Sequence, residues 1–227
     1  MAGRDDYLKA LGVENWQQRR PLAASVTGVA ATGQAPIPGT ADSWDAVAAE
    51  VAGCTKCGLH ECRNRTVFGV GDREAKWLVV GEAPGAEEDQ QGEPFVGRAG
   101  GLLNSMLRGI GLAREQVFIA NVLKCRPPNN RDPKPEEVAQ CLPYLERQIA
   151  LLRPRIMLAV GRIAAQNLLA TETPIGKLRG CVHAFGAARI PLVVTYHPAY
   201  LLRSPTEKRK AWEDLKFARR VAGGGTA

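Results

Sequence analysis

Four short apolar runs constrain this chain more than any other feature: "WLVVG" (77–81), "VFIANV" (117–122), "IMLAVG" (156–161) and "PLVVTY" (191–196). Each has the length of a strand and hardly a polar interruption. A strand apolar on both faces must be covered on both faces, which is the condition of a parallel sheet. The stretches between the runs, 97–109, 135–152 and 162–170, read as helices, and a last helix is expected at about 206–221. This alternation predicts an α/β fold, a three-layer α/β/α sandwich around a four-stranded, mainly parallel sheet. Ahead of the first run, "SWDAVAAEVAGC" reads as another helix, with Ser43 as its N-cap.

Residues 5–20 suggest a short helix with Tyr7, Leu8, Leu11 and Trp16 roughly on one side. Residues 1–20 are therefore expected to form a helical arm, with a protein partner as its contact. Residues 21–42 are small, Pro/Gly-containing and uncharged until Asp42, the composition of a flexible linker. The folded domain is expected over 43–222 and a disordered tail over 223–227. A net charge of +7, from 30 Lys+Arg and 23 Asp+Glu, suggests a polyanionic partner, with nucleic acid the leading candidate. Charges interrupt the apolar runs, so no membrane span is expected. The N-terminus lacks a secretory apolar core, so the expected compartment is the cytoplasm. Six cysteines are then not read as disulfides by default. Cys54 and Cys57 form a C-x-x-C, Cys125 and Cys141 lie far downstream, and Cys62 and Cys181 read as isolated small apolar residues.

Ligands of such sheets bind at the carboxyl ends of the strands. There stand Gly81-Glu82, Asn121, Gly161 and His197, so an acid, an amide and an imidazole are expected on one rim. The first strand runs into an acid-rich loop in which Glu82, Glu87, Glu88 and Asp89 fall within eight positions. In a basic chain these carboxylates are assigned to a pocket, with Glu87 left as a solvated side chain. Taken alone, Asn121 could cap a turn, and Phe95, Leu201 and Leu202 could be plain core. "GEAPG" lacks the G-x-G-x-x-G spacing and no Walker lysine motif occurs, which argues against a nucleotide-binding enzyme. Arg203, Lys208, Arg209 and Lys210 in one segment, and Lys124, Arg126 and Arg131 in another, are candidates for phosphate contacts.

"GEAPGAEEDQQGEPFVGRAG", "NVLKCRPPNNRDP" and "HPAYLLR", with the C-x-x-C ahead of them, resemble the family 4 uracil-DNA glycosylases, the iron–sulfur type of bacteria and archaea. The likeness covers about residues 50–220. It implies a monofunctional enzyme that hydrolyses the N-glycosidic bond of uracil in single- or double-stranded DNA, leaving an abasic site and free uracil for base excision repair. It also implies a [4Fe–4S] cluster on Cys54, Cys57, Cys125 and Cys141. Phe95 resembles the ring that stacks on the flipped base, Asn121 the base-reading amide and His197 the imidazole of the second motif. Ala83 and Gly85 are expected to border the substrate. Glu82 is the first choice for positioning water, Glu88 and Asp89 the second, one of these two being an alternative barrier to thymine's methyl group. Other uracil glycosylase families carry an aspartate where Ala83 stands, so the water-activating role does not transfer by position. Leu201, with Leu202, is a candidate wedge into the base stack. By residue type the four cysteines suit zinc or an iron–sulfur cluster. The second pair is split by 15 residues, unlike a zinc ribbon, which favours the cluster. A monomer is expected. The rival readings are a catalytically silent iron–sulfur DNA-binding module accompanying a polymerase, and an enzyme trapping DNA through a loop histidine. "KCRPPNNRDPKPEE" contains no histidine, against the latter.

Overall fold

The four apolar runs form the centre of the sheet in the computed structural model, which describes residues 43–224. The expected arm and linker, and residues 225–227 of the tail, lie outside the described residues. Strands β1 (Val70–Gly71), β2 (Trp77–Gly81), β3 (Phe118–Asn121), β4 (Ile156–Val160), β5 (Val182–Phe185) and β6 (Ile190–Thr195) are ordered β1-β3-β2-β4-β6-β5. The inner four, β3, β2, β4 and β6, run parallel, while β1 and β5 are antiparallel edges. The sheet thus has six strands rather than four. The two extra strands gave no apolar run because an edge strand needs none: β1 is two residues long and β5 only alternates between exposed and half-buried positions.

Side chains of the inner strands alternate between two cores, as the period of two requires. Leu78, Val80, Met157, Ala159, Leu192 and Val194 face one; Val79, Ile119, Ile156, Leu158 and Val193 face the other. The first is covered by α1 (Trp44–Ala52), α4 (Pro135–Leu152), α5 (Arg162–Leu169) and α6 (Ile175–Leu178). The second is covered by α3 (Arg98–Gly109), α7 (Pro198–Arg203) and α8 (Lys208–Ala222). The three-layer sandwich follows. Ser43 opens α1 as expected, its hydroxyl accepting the Ala46 N–H at 3.1 Å.

The acid-rich stretch is not a loop throughout. Ala86–Gln91 form a short helix, α2, with Gly85 at its N-cap and Glu87, Glu88 and Asp89 in its first turn. Carboxylates are favoured there because the first turn presents unpaired N–H groups and the positive end of the helix dipole. Part of the acid cluster is therefore a helix start.

Candidate active site and cysteine cavity

The register of β2 on β3 sets Gly81 opposite Asn121, and the pairing continues past the strands, Leu123 N–H donating to the Glu82 carbonyl at 3.0 Å. On the other side β4 pairs with β6, and Gly161 N–H donates to the Thr195 carbonyl at 2.8 Å, just before His197. These ends border a cavity of about 430 Å³ lined by Glu82, Ala83, Gly85, Glu88, Phe95, Asn121 and His197. That volume lies in the range of small-ligand sites. The acid, amide and imidazole expected on one rim do share one cavity.

Two glycines make room for it. A Cβ on Gly81 would stand 2.3 Å from Asn121 Oδ1 and 2.8 Å from the Phe95 ring. Gly161, at φ +103°, presses on the His197 side chain, which a Cβ would meet at 3.0 Å. Asn121 is 2% exposed, and its Oδ1 is a buried acceptor without a hydrogen-bond partner. Buried polar atoms are nearly always paired, so an orphan at the floor of a cavity marks a place for a ligand's donor.

Phe95 stacks on His197, ring centroids 5.5 Å apart and planes 30° from parallel. Its backbone is in the left-handed region, φ +55°, which a bulky residue adopts only where its surroundings impose it. Arg114 does much of the imposing: its guanidinium donates to the Pro94 carbonyl at 2.6 Å and the Phe95 carbonyl at 3.3 Å. Gly100 lies so close that a Cβ would overlap the Phe95 carbonyl. Nothing local in the sequence flags Arg114, which acts across 19 positions.

His197 Nδ1 accepts the Ala199 N–H at 3.1 Å. Burial, with Arg203 nearby and Glu88 opposing, pushes the imidazole down to about 4. It is therefore neutral near pH 7, and with Nδ1 an acceptor its proton sits on Nε2.

The carboxylates divide into three jobs. Glu82 lines the cavity, and its carboxyl is raised to about 7, chiefly by burial, with Asp132 adding and Arg162 opposing. Arg162 and Asp132 are themselves paired at 2.6 Å. Glu88 also lines the cavity, but its two oxygens accept the N–H groups of Gly85 (3.1 Å) and Val96 (3.2 Å), so it clamps the loop carrying Phe95. Asp89 is corrected: it is 1% exposed and its carboxylate is spent on Asn64 and the Arg65 N–H, away from the cavity lining. A single residue step separates the roles, because Glu88 and Asp89 leave α2 about 100° apart.

Leu201 is corrected too. "HPAYLLR" winds into α7, which carries Leu201 to the core at 1% exposure; Leu202 is half-buried, and Tyr200, 37% exposed, borders the cavity instead. Among the basic candidates, Lys124 does not reach solvent. It is 1% exposed, its Nζ donating to the Asn121 carbonyl at 2.9 Å and Gln148 Oε1 at 2.6 Å, and burial pushes the ammonium down to about 8. Arg131 lines the cavity but forks onto Glu137, and Lys210 pairs with Glu207 at 2.9 Å. Arg203 is exposed at the cavity edge, and Arg126, half-buried, donates to Asn130 at 2.7 Å.

Cys54, Cys57, Cys125 and Cys141 line a second, small cavity with Arg63, Lys124 and Tyr144. Two N–H donors already point at sulfur: Lys124 N–H reaches Cys141 Sγ and Arg63 Nη1 reaches Cys125 Sγ, each at 3.2 Å. Among the described residues no three such side chains stand in ligating positions, so the thiols converge without closing on one point. Their chemistry, four sulfurs with N–H donors behind Cys125 and Cys141, fits a tetrathiolate-held group. Cys62 and Cys181 stay apart from this cavity but are exposed rather than buried.

The family model of the uracil DNA glycosylase superfamily matches residues 68–216. The chain is 45% identical over 188 residues to the type-4 uracil-DNA glycosylase of Archaeoglobus fulgidus, covering 80% of this chain and 94% of that protein. It is 43% identical to the type-4 uracil-DNA glycosylase of Sulfurisphaera tokodaii, over 80% of this chain and 86% of the relative. Against that of Thermotoga maritima the identity is 42%, over 76% and 91%. A sheet whose parallel strands present an orphaned amide, a neutral imidazole and a buried carboxyl to one cavity, with likeness of this extent, makes the chain a member of the uracil-DNA glycosylase superfamily and, within it, of the type-4 enzymes.

Proposed function

We propose that this chain releases uracil from DNA by hydrolysing its N-glycosidic bond, leaving an abasic site, and that Asn121 is the group that reads the base. The observation that carries this is the unpaired Oδ1 of Asn121 beneath Phe95. Uracil flipped from the stack brings an N3–H donor for that oxygen and an O4 acceptor for the amide nitrogen. Cytosine reverses both and would leave buried groups unpaired, the strong form of discrimination. Phe95 recovers part of the unstacking cost by covering the base, worth about 1–3 kcal/mol.

As the C1′–N1 bond breaks, its electron pair goes to uracil, whose charge gathers on O2 and N1. The His197 Nε2–H donates to O2, and a neutral donor there favours the anion as it forms. Water attacks C1′ of the cationic sugar, its oxygen forming the new C–O bond while its proton passes to the Glu82 carboxylate and from there to solvent. Ionised Glu82 orients that water and offsets the sugar's charge. Glu88 acts beside it by fixing the loop of Gly85, Phe95 and Val96. Uracil-containing DNA approaches over the basic edge at Arg203. Cys54, Cys57, Cys125 and Cys141 hold a [4Fe–4S] cluster that ties the segment after α1 to the loop after β3 and to α4; hydrolysis needs no electron transfer.

The test is single-turnover cleavage of oligonucleotides bearing U, C or T by the wild type, Asn121→Ala and His197→Ala. Release of uracil alone is expected, with losses of about 10²–10³-fold in each variant, the scale for removing one preorganised donor. Equal rates in wild type and variants would remove the proposed roles. Binding to uracil-containing DNA without alkali-labile sites would replace the enzyme by a silent binding module.

A further inference from the structure

A buried lysine joins the two cavities. Lys124 stands between Leu123, which pairs with the loop after β2, and Cys125, which lines the cysteine cavity. Its chain does not run outward as its place in a basic motif suggests. The ammonium is sealed in the core, with two acceptors: the main-chain carbonyl of Asn121 at 2.9 Å and Gln148 Oε1 at 2.6 Å. Gln148 is fully buried on α4, and its own Nε2 donates to the Phe68 carbonyl at 2.9 Å. The bracket is completed through Lys124's main chain. Its N–H donates to Cys141 Sγ at 3.2 Å and its carbonyl accepts the Val67 N–H at 2.7 Å.

Both partners of this ammonium are neutral oxygens. A buried cation left without an anion is costly, and a neutral side chain could hold a carbonyl as well. The negative charge at hand is that of the neighbouring cysteines, which bind a cluster only as thiolates. We propose that Lys124 is the positioning residue that couples the cysteine cavity to the base-reading end of β3, its charge offsetting the thiolates and its Nζ fixing the Asn121 main chain. The proposal rests on the glycosylase reading above for what Asn121 does, and on the four cysteines for the group they hold. Arg63, which donates to Cys125 Sγ and to the Cys54 carbonyl (2.8 Å), flanks the same cavity, yet no hydrogen bond connects it to Asn121. Lys124 is thus distinguished from a general electrostatic collar by its second contact.

The experiment compares full-length wild type, Lys124→Met, Lys124→Arg and Gln148→Met, purified with their cluster. Three quantities are read: bleaching near 400 nm under a chelator, single-turnover uracil release with its KM, and the salt slope of DNA binding. Partners behind a metal ligand typically change affinity or activity by about 10–100-fold. Lys124→Met is expected to bleach at least about 10-fold faster and to lose turnover on that scale, with KM unchanged. Lys124→Arg, which keeps the charge, should bleach as wild type does. Gln148→Met should lose turnover while keeping the cluster, since the ammonium stays in place. A folded Lys124→Met that holds its cluster and cleaves like wild type overturns the proposal. So does a salt slope lowered by one unit, which would put the lysine on a phosphate. If Lys124→Met fails to fold, fast bleaching of Lys124→Arg or full activity of Gln148→Met overturns it instead. A wild type that releases no uracil defeats the glycosylase reading, while the bleaching arm still decides for or against the lysine.

Discussion

Replacing Gly81 by alanine adds one methyl group at the floor of the base-reading cavity and changes no charge. That Cβ would lie 2.3 Å from Asn121 Oδ1, where ordinary contact begins at 3.4 Å, so one of the two must retreat by about 1.1 Å. The backbone of Gly81 is held in the sheet opposite Asn121, and the Phe95 ring, 2.8 Å from the same point, closes another side. The Asn121 amide has to swing. A misplacement of about 1 Å in a positioned group costs on the order of 10²-fold in rate. Overpacking of this kind lowers stability by about 1–3 kcal/mol, which leaves a domain of ordinary stability folded. Single-turnover uracil release should therefore fall about 100-fold while affinity for undamaged DNA holds. Gly101→Ala is the control: it lies in α3 with nothing within 4 Å of its Cβ, and should gain about 0.5–1 kcal/mol with turnover unchanged. A folded Gly81→Ala enzyme that releases uracil at the wild-type rate would show that Asn121 Oδ1 does not read the base.

Because the Glu82 carboxyl is raised to about 7 and acts ionised, kcat/KM should rise with pH through about 7. Asp132→Asn removes a charge that helps raise it and should move that limb to lower pH; an unmoved limb would detach the ionisation from Glu82. The same group makes stability fall as pH rises from 4.5 through about 7, since the folded chain keeps a proton that the unfolded chain gives up; His197, at about 4, acts in the opposite sense as pH falls below 6.5. The two windows overlap between 4.5 and 6.5, where their slopes oppose. The melting temperature of Glu82→Gln should therefore rise with pH from about 4 to 6.5 more steeply than that of the wild type, and should lose the wild-type decline between 6.5 and about 7. Arg203→Ala should weaken binding of all DNA sequences alike and lower the salt slope by about one unit. An unchanged slope would take Arg203 off the phosphates.

Much of this was legible in the chain itself. Apolar runs with helix-length spacers determine a parallel sheet covered on both faces, because a strand buried twice cannot spare polar residues. The position of Asn121 and His197 at the ends of such runs then follows from topology, as does the shared rim. Other features depend on which way a side chain turns, and that is settled by partners far away in sequence. Lys124 and Arg131 share a basic motif, yet one is drawn into the core by Asn121 and Gln148 and the other forks onto Glu137. Glu88 and Asp89 are neighbours, yet one helical step of about 100° aims one at Gly85 and Val96 and the other at Asn64. Leu201 left the surface because "PAYLLR" coils, and β1 and β5 carried no apolar signature because edges require none. Composition and period fix which surfaces must be buried; only packing in three dimensions chooses the partner of each polar group, and the chemistry here is made of those choices.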